Sequence, residues 1–205
     1  MKISFILLVF FTSTIFASAS EVIILFGKPA SGKGWTANKI KENYKIISIS
    51  SGDVIRKQVA NNPEYQKIMN EGKLLNDQDV FKLMIKEIEL NIKQNEDIIL
   101  DGFPRTKEQA IELNKFLKSN KINYKTFEIQ CSNEIVKNRM LERQKKEKRQ
   151  DDNMDTFEKR LQTYNKITSE AVEIYKEEKR INFIDCSTTN LSTALFPHLK
   201  NLKKK

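Results

Sequence analysis

Cysteine and histidine are scarce: the 205 residues contain two cysteines and one histidine. Structural zinc sites need four nitrogen or sulfur ligands, so Cys131, Cys186 and His198 are too few to build one. The sequence also lacks internal repeats and, beyond residue 20, any low-complexity linker. Its length therefore fits one α/β domain with a full core and room for small inserted lobes.

The two cysteines lie far apart and both fall at the ends of predicted strands. If those strands are neighbours the pair is close, and an exported protein could form a disulfide. Disulfide geometry is exacting, however, and we favour two buried free thiols.

Basic residues exceed acidic ones by 36 to 27, which gives a formal net charge of +9. This excess suits acidic partners such as nucleotides, nucleic acids or anionic surfaces, although a solvated lysine-rich surface explains it equally well. The sequence has no basic patch interleaved with aromatic residues, and we therefore expect no nucleic-acid partner.

Residues 1–20 have the pattern of a secretory signal peptide. Lys2 precedes an apolar run from Ile3 to Phe11, and Ala17-Ser18-Ala19 provides a small-x-small cleavage site. The run is short for a membrane-spanning helix. We expect cleavage near Ala19, a periplasmic or secreted product and no stable membrane association afterwards. The alternative is an uncleaved N-terminal membrane anchor.

The stretch EVIILFGKPASGKGW, from Glu21 to Trp35, joins an apolar strand to a glycine-rich turn that fits G-x-x-x-x-G-K. In such a turn backbone N–H groups surround phosphate oxygens, Lys33 reaches the outer phosphates, and the following helix adds its positive N-terminal end. Gly34 stands where the generic motif has a Mg²⁺-binding Ser or Thr. The alternative is an ordinary glycine-rich turn.

Five predicted strands alternate with helical segments, which indicates a parallel sheet covered on both faces. Ser50–Arg56 has the composition of a helix start that can bind a second anion, or simply of a capped surface helix. The third strand ends in Asp101-Gly102-Phe103-Pro104-Arg105-Thr106, where Asp101 is suited to Mg²⁺ and Arg105 to phosphate.

Three further segments carry expectations about structure. Gln144–Asp152 is polar throughout and is either a solvated loop or a basic lid over phosphates. One long amphipathic helix is predicted from about Met154 to Lys179. The C-terminal residues Lys203–Lys205 are expected to be a frayed, solvated tail.

Six motifs occur in order: GKPASGKGW, SSGDVIR, GKLLND, DGFPRTKEQA, NRMLER and RQDD. Together they resemble the nucleoside monophosphate kinases, and most closely the adenylate kinase family with a short lid, over about Val22–Leu195. The resemblance implies five parallel strands in the order 2-3-1-4-5. It implies a kinase domain at 21–205, with a monophosphate-binding lobe near 50–77, a lid near 143–152 too short for zinc, and a monomeric protein.

The resemblance also assigns roles to individual residues. For ATP binding they are Ala30, Ser31, Gly32, Lys33, Gly34, Trp35, Arg139 and Arg143. For AMP binding they are Ser51, Arg56, Lys73, Leu75, Gly102, Arg105, Gln109, Arg149 and Arg160. The catalytic cations are Lys33, Arg105, Arg143, Arg149 and Arg160, and Asp151 and Asp152 help to close the lid. Asp101 would order Mg²⁺ through water.

The implied reaction is reversible phosphoryl transfer from Mg-ATP to AMP, which gives two ADP. Gln109 favours AMP over UMP or CMP, because the adenine-specific members of the family carry Gln there. A UMP/CMP kinase is the first alternative. The second is an exported nucleotide-binding protein with weak or no activity, because Ala30 replaces the usual Gly and Trp35 the usual Thr.

Overall fold

A buried strand, β1 (Glu21–Gly27), lies at the centre of the molecule, and all seven of its residues are buried. Its apolar, largely β-branched sequence suits a strand with neighbours on both edges and helices on both faces. The computed structural model describes residues 20–59, 62–71, 73–146, 153–187 and 194–205.

Five parallel strands form one sheet in the order β2-β3-β1-β4-β5, as the sequence predicts. The other four strands are β2 (Ile46–Ser50), β3 (Asp97–Asp101), β4 (Asn123–Gln130) and β5 (Ile181–Asp185). The register pairs Leu25 of β1 with Asp101 of β3 and with Phe127 of β4. The carboxyl ends of the three central strands therefore meet at one edge, where ligands bind in sheets of this type.

The helices connect the strands and cover both faces of the sheet. In chain order they are α1 (Lys33–Asn43), α2 (Ser51–Val59), α3 (Pro63–Asn70), α4 (Asp77–Lys93), α5 (Lys107–Ser119), α6 (Asn133–Lys146), α7 (Met154–Thr163) and α8 (Ser169–Glu177). A π-helical turn, Tyr164–Thr168, joins α7 to α8, and a short 3-10 turn lies at Phe196–His198. The single helix predicted from Met154 is thus interrupted, which apolar periodicity does not reveal.

Alternate residues of β1 enter two different cores. Val22 and Ile24 pack on the face that α4 and α5 cover, together with Met84 of α4. Ile23 and Leu25 pack on the other face, with Ile40 of α1. Because both faces are buried, β1 is fixed in position and so is the loop that follows it.

The expectation of free thiols is wrong: Cys131 and Cys186 form a disulfide with their Cα atoms 5.3 Å apart. Gln130 of β4 is in register with Asp185 of β5. Each cysteine follows one of these paired residues, so the parallel register brings the two side chains together.

The expectation of a frayed C-terminal tail is also wrong. Leu202 is buried, and the next residue is bonded on both sides: the Lys203 N–H donates to Asp97 Oδ2 at 3.2 Å and its carbonyl accepts from the Lys45 N–H at 2.8 Å. Lys204 forms an antiparallel bridge with Tyr44. The apolar anchor at Leu202 holds the tail against the sheet despite its three lysines.

Within the described ranges, no helix is both long enough and apolar enough to cross a bilayer.

Candidate active site

The loop between β1 and α1 has the backbone shape of a phosphate cradle. Gly27 and Gly32 have positive φ angles of 149° and 101°, and a Cβ on Gly27 would lie 2.5 Å from Ser31 Oγ. Ala30 also has a left-handed φ of 60°. The alanine thus keeps the conformation that a glycine would adopt there, at a cost of about 1 kcal/mol.

Lys33 lies across this loop. Its Nζ donates to the carbonyl oxygens of Gly27 at 2.7 Å and Lys28 at 3.1 Å. The pKa of Lys33 is lowered to about 8, chiefly by burial; the Asp101 carboxylate opposes the shift, and the cations Arg105 and Arg143 contribute to it. The negative charge around the Lys33 ammonium is therefore too small to offset its burial. An incoming phosphate group would supply that charge.

The rear of the loop is fastened to β4 and β5. Arg139 Nη1 donates to the Ser31 carbonyl and Nη2 to the Cys186 carbonyl, each at 2.9 Å. Lys28 Nζ donates to the Cys131 carbonyl at 2.9 Å and to Asn133 Oδ1 at 2.7 Å. The disulfide therefore belongs to the support of the loop. Sequence reasoning missed this support, and the positions of both cysteines at strand ends were the available signal.

A second polar cluster lies beyond the carboxyl end of β3. Ser51 Oγ donates to the Gly102 carbonyl at 2.6 Å, and Arg105 Nε donates to the same oxygen at 2.8 Å. Arg105 Nη2 also lies 3.2 Å from Ser51 Oγ. Gly102 has a φ of 74°, and a Cβ on it would lie 3.0 Å from Ser51 Oγ. Glycine is required here because the chain turns sharply and the two side chains approach it closely.

Arg105 is surrounded by other cations. Its pKa is lowered to about 10, first by burial and then by the charges of Arg160 and Arg56, while Asp101 opposes the shift. Like Lys33, it belongs to a group of converging positive charges that an anion would stabilise.

One cavity of about 630 Å³ joins the loop to the second cluster. Every predicted ATP, AMP, catalytic and metal residue in the described part of the chain lines it: Ala30, Ser31, Gly32, Lys33, Gly34, Trp35, Ser51, Arg56, Lys73, Leu75, Asp101, Gly102, Arg105, Gln109, Arg139, Arg143 and Arg160. The predicted residues Arg149, Asp151 and Asp152 lie outside the described residues, as does most of the polar segment proposed as the lid.

Two of the predicted AMP residues are paired with nearby carboxylates. Arg56 forms an ion pair with Asp53 one turn before it on α2. Lys73 is exposed, and its Nζ lies 2.7 Å from Glu71 Oε2. Arg56, Asp53 and Lys73 line the cavity, where a phosphate can take the place of the carboxylate beside either cation.

The π-helical turn and the last residue of α7 bring further side chains to the cavity that the sequence analysis did not single out. Thr163, Tyr164 and Thr168 line it, and Tyr164 donates to Glu128 Oε1 of β4 at 2.9 Å. Burial, together with the Glu128 carboxylate, raises the pKa of the Tyr164 hydroxyl, so the tyrosine stays a neutral donor. This bond ties the segment that follows Arg160 to the sheet.

Asp101 fits a role in holding Mg²⁺. It ends β3 beside β1, and a Cβ on Gly34 would lie 3.5 Å from its Oδ2. Mg²⁺ keeps most of its water and is usually held by one or two carboxylates together with substrate phosphates. Among the described residues no three His, Cys, Asp or Glu side chains cluster as a metal site. One carboxylate beside a phosphate loop suits a Mg²⁺ that arrives with the nucleotide.

Comparison with known proteins agrees with this geometry. The family model described as adenylate kinase matches residues 25–180. The adenylate kinase of Flavobacterium psychrophilum is 34% identical over 169 residues, which cover 80% of this chain and 88% of that protein. That of Bacteroides thetaiotaomicron is 33% identical over 168 residues, 80% of this chain and 88% of that protein. The UMP-CMP kinase of Danio rerio is 31% identical over 194 residues, 90% of this chain and 97% of that protein.

Proposed function

Because the chain belongs to the adenylate kinase family, we propose that it transfers a phosphoryl group reversibly from Mg-ATP to AMP, giving two ADP. One observation carries this proposal. A single cavity is lined both by the phosphate loop with Lys33 and by the separate cation cluster around Arg105. Two phosphorylated ligands in one cavity can meet end to end.

The chemistry requires positioning and charge compensation. The acceptor oxygen already belongs to a phosphate, so a general base is not essential. The barrier falls when the two phosphates are aligned and the charge in transit is neutralised. Lys33 and the N–H groups of the loop would hold the donor phosphates, and Arg105 and Arg56 the acceptor phosphate. Arg139 and Arg143 would contact the donor, and Arg160 would stabilise the transferred group.

Mg²⁺ bound with ATP would neutralise charge on the donor phosphates. Asp101 would orient the water bound to that ion. No step requires a metal held permanently by the protein, and the proposal includes no zinc.

The polar segment that follows α6 would form the lid. We assign Arg149 to the transferred group and Asp151 and Asp152 to lid closure. A closed lid excludes water, which would otherwise accept the phosphoryl group in place of AMP.

The proposed acceptor is AMP because Gln109, the residue that the adenine-specific members of the family carry at this position, lines the cavity. A pyrimidine monophosphate is the second candidate, favoured by the similarity to a UMP-CMP kinase. A coupled assay of ADP formation from Mg-ATP with AMP, UMP, CMP and GMP in parallel separates them. Turnover that is highest with AMP is the expected result. Nucleotide binding without turnover of any acceptor would instead indicate a protein that has kept the fold and lost the reaction.

We also propose that the chain is exported through residues 1–20 and acts as a monomer. The basic, apolar and small-residue pattern of these residues supports export, as does the disulfide between Cys131 and Cys186, a bond typical of oxidising compartments. Residues of one chain line both ends of the cavity, which supports a monomer. Mass spectrometry of the protein from its native host should give a start near Ser20, and light scattering should give the mass of one chain.

A further inference from the structure

The acceptor end of the cavity contains one buried amide. Gln109, in the first turn of α5, is 2% exposed and lines the cavity, as do the apolar residues Leu75, Val80 and Met69. An apolar wall with one polar group in it suits a flat aromatic ring whose edge forms hydrogen bonds. The orientation of the amide then decides which ring edges fit.

Two neighbours fix that orientation. Gln109 Oε1 accepts from the backbone N–H of Arg105 at 2.8 Å, and Gln109 Nε2 donates to Asp77 Oδ1 at 2.7 Å. A backbone N–H can only donate and an ionised carboxylate can only accept. A half-turn of the amide would bring N–H against N–H and oxygen against oxygen, so one orientation satisfies both contacts.

Asp77 is itself held in place. Thr106 Oγ1 donates to the same Oδ1 at 2.9 Å, and Thr106 caps α5 by accepting from the Gln109 N–H at 3.2 Å. Asp77 is the first residue of α4, so the network joins the starts of α4 and α5. Thr106 and Gln109 are both buried, so an amide of the opposite orientation would leave buried groups unpaired.

The fixed amide leaves one hydrogen-bonding position on each of its groups: one N–H of Gln109 Nε2 and one lone pair of Oε1. In the sense of entry that the inference requires, the exocyclic group of the base faces Oε1 and the ring nitrogen faces Nε2. The amide then matches a base edge that has a ring nitrogen acceptor next to an exocyclic amine. Adenine and cytosine have such an edge. Hypoxanthine, guanine and uracil have a ring N–H next to a carbonyl, which is the reverse pattern.

We propose that Asp77 is a positioning residue that fixes the Gln109 amide and thereby makes the acceptor site select amino bases over oxo bases. This inference rests on the proposed function, because Gln109 meets a base only if an acceptor nucleotide occupies this end of the cavity. Asp77 acts through Gln109 and touches no reacting atom.

Two matched pairs of acceptors test the inference: AMP against IMP, and CMP against UMP. Within each pair the ring size is constant and the amino edge is replaced by an oxo edge. The wild type should prefer the amino base in both pairs, as judged by kcat/KM. In Asp77→Ala the ratio of AMP to IMP should fall about tenfold, mainly through a higher KM for AMP.

Two further variants separate orientation from a general structural effect. Asp77→Asn keeps an oxygen at the Oδ1 position and should retain most of the AMP to IMP ratio. Asp79→Ala removes a carboxylate from the same turn of α4 that bonds to Tyr65 and not to Gln109, and should leave the ratio unchanged. Thr106→Val, which removes the hydroxyl that holds Asp77, replaces Asp77→Ala if that variant does not fold.

An unchanged ratio in Asp77→Ala would overturn the inference, as would an equal fall in Asp77→Asn or Asp79→Ala. If the wild type turns over AMP while the ratio stays constant across the variants, the proposed function stands and the inference fails. If the wild type turns over no acceptor, the proposed function fails. Calorimetric affinities of AMP and IMP for the same variants then test the inference by the same ratio.

Discussion

The two ends of the cavity are held in different ways. At the donor end the phosphate loop follows the most buried strand, and the Cys131–Cys186 disulfide and Arg139 support it from behind. At the acceptor end the contacts are hydrogen bonds made by side chains at the starts of helices, such as Ser51 with the Gly102 carbonyl and Asp77 with the Gln109 amide. A covalent bond thus lies behind the first end, whereas the described contacts of the second are non-covalent bonds of its side chains.

This difference indicates which property of the protein substitutions at each end should change. Backbone N–H groups bind any phosphate, so the donor end depends on the shape of the loop and on the stability of the sheet behind it. The acceptor end depends on which side chains lie there. Substitutions behind the loop should therefore affect stability, whereas substitutions at the acceptor end should affect turnover and selectivity.

The largest expected effect is at the acceptor end. Arg105→Ala removes the guanidinium that converges with Arg160 and Arg56 on the cavity. We expect kcat/KM to fall about a thousandfold, or about 4 kcal/mol of transition-state stabilisation, with the fold intact. Steady-state kinetics and circular dichroism measure both. The control is Arg180→Ala, an exposed arginine away from the cavity, which should change kcat/KM little. Near-normal turnover of Arg105→Ala would show that Arg105 does not take part in the reaction.

The second effect is at the donor end and concerns stability. The disulfide closes a loop with a sequence separation of 55 residues. Replacing both cysteines with serine should lower the free energy of unfolding by about 2–4 kcal/mol, measured by urea denaturation. At low temperature the variant should keep most of its turnover, because Arg139 still binds the two backbone carbonyls. The reduced wild type serves as the control. A variant as stable as the oxidised wild type would mean that the sheet alone holds the loop.

A pH series should separate the two ends without any mutation. The pKa of Lys33 is lowered to about 8 and that of Arg105 to about 10. Bound phosphate favours the protonated cation, so nucleotide binding above each pKa takes up a proton and affinity falls as pH rises. From pH 8 to pH 9 the KM for ATP should rise about fivefold, while the KM for AMP should change less. Parallel increases in the two KM values would show that these shifts do not distinguish the two ends.

The sequence predicts the sheet, the phosphate loop and every cavity-lining cation for clear physical reasons. Apolar runs and glycine turns are local signals, and the spacing of Lys33 after Gly27 is set by the loop itself. The disulfide and the Asp77–Gln109 bond were missed because each joins residues that are remote in sequence, and only the register of the strands and the packing of the helices bring them together. The prediction of a frayed tail was wrong because the three terminal lysines indicated a solvated end, whereas burial of Leu202 decided the structure.

The smallest expected effect is a spectroscopic signal. Trp35 is the single tryptophan of the chain, lies in the first turn of α1 and is 49% exposed on the lining of the cavity. Its indole therefore lies next to the loop that would hold the donor phosphates. ATP should shift its emission to shorter wavelength in a saturable way, because a bound nucleotide displaces water from the ring. AMP alone should produce a smaller shift, since its proposed contacts lie at the other end. An equal response to saturating AMP would mean that Trp35 reports on the whole cavity, and that the two ends are less independent than their contacts indicate.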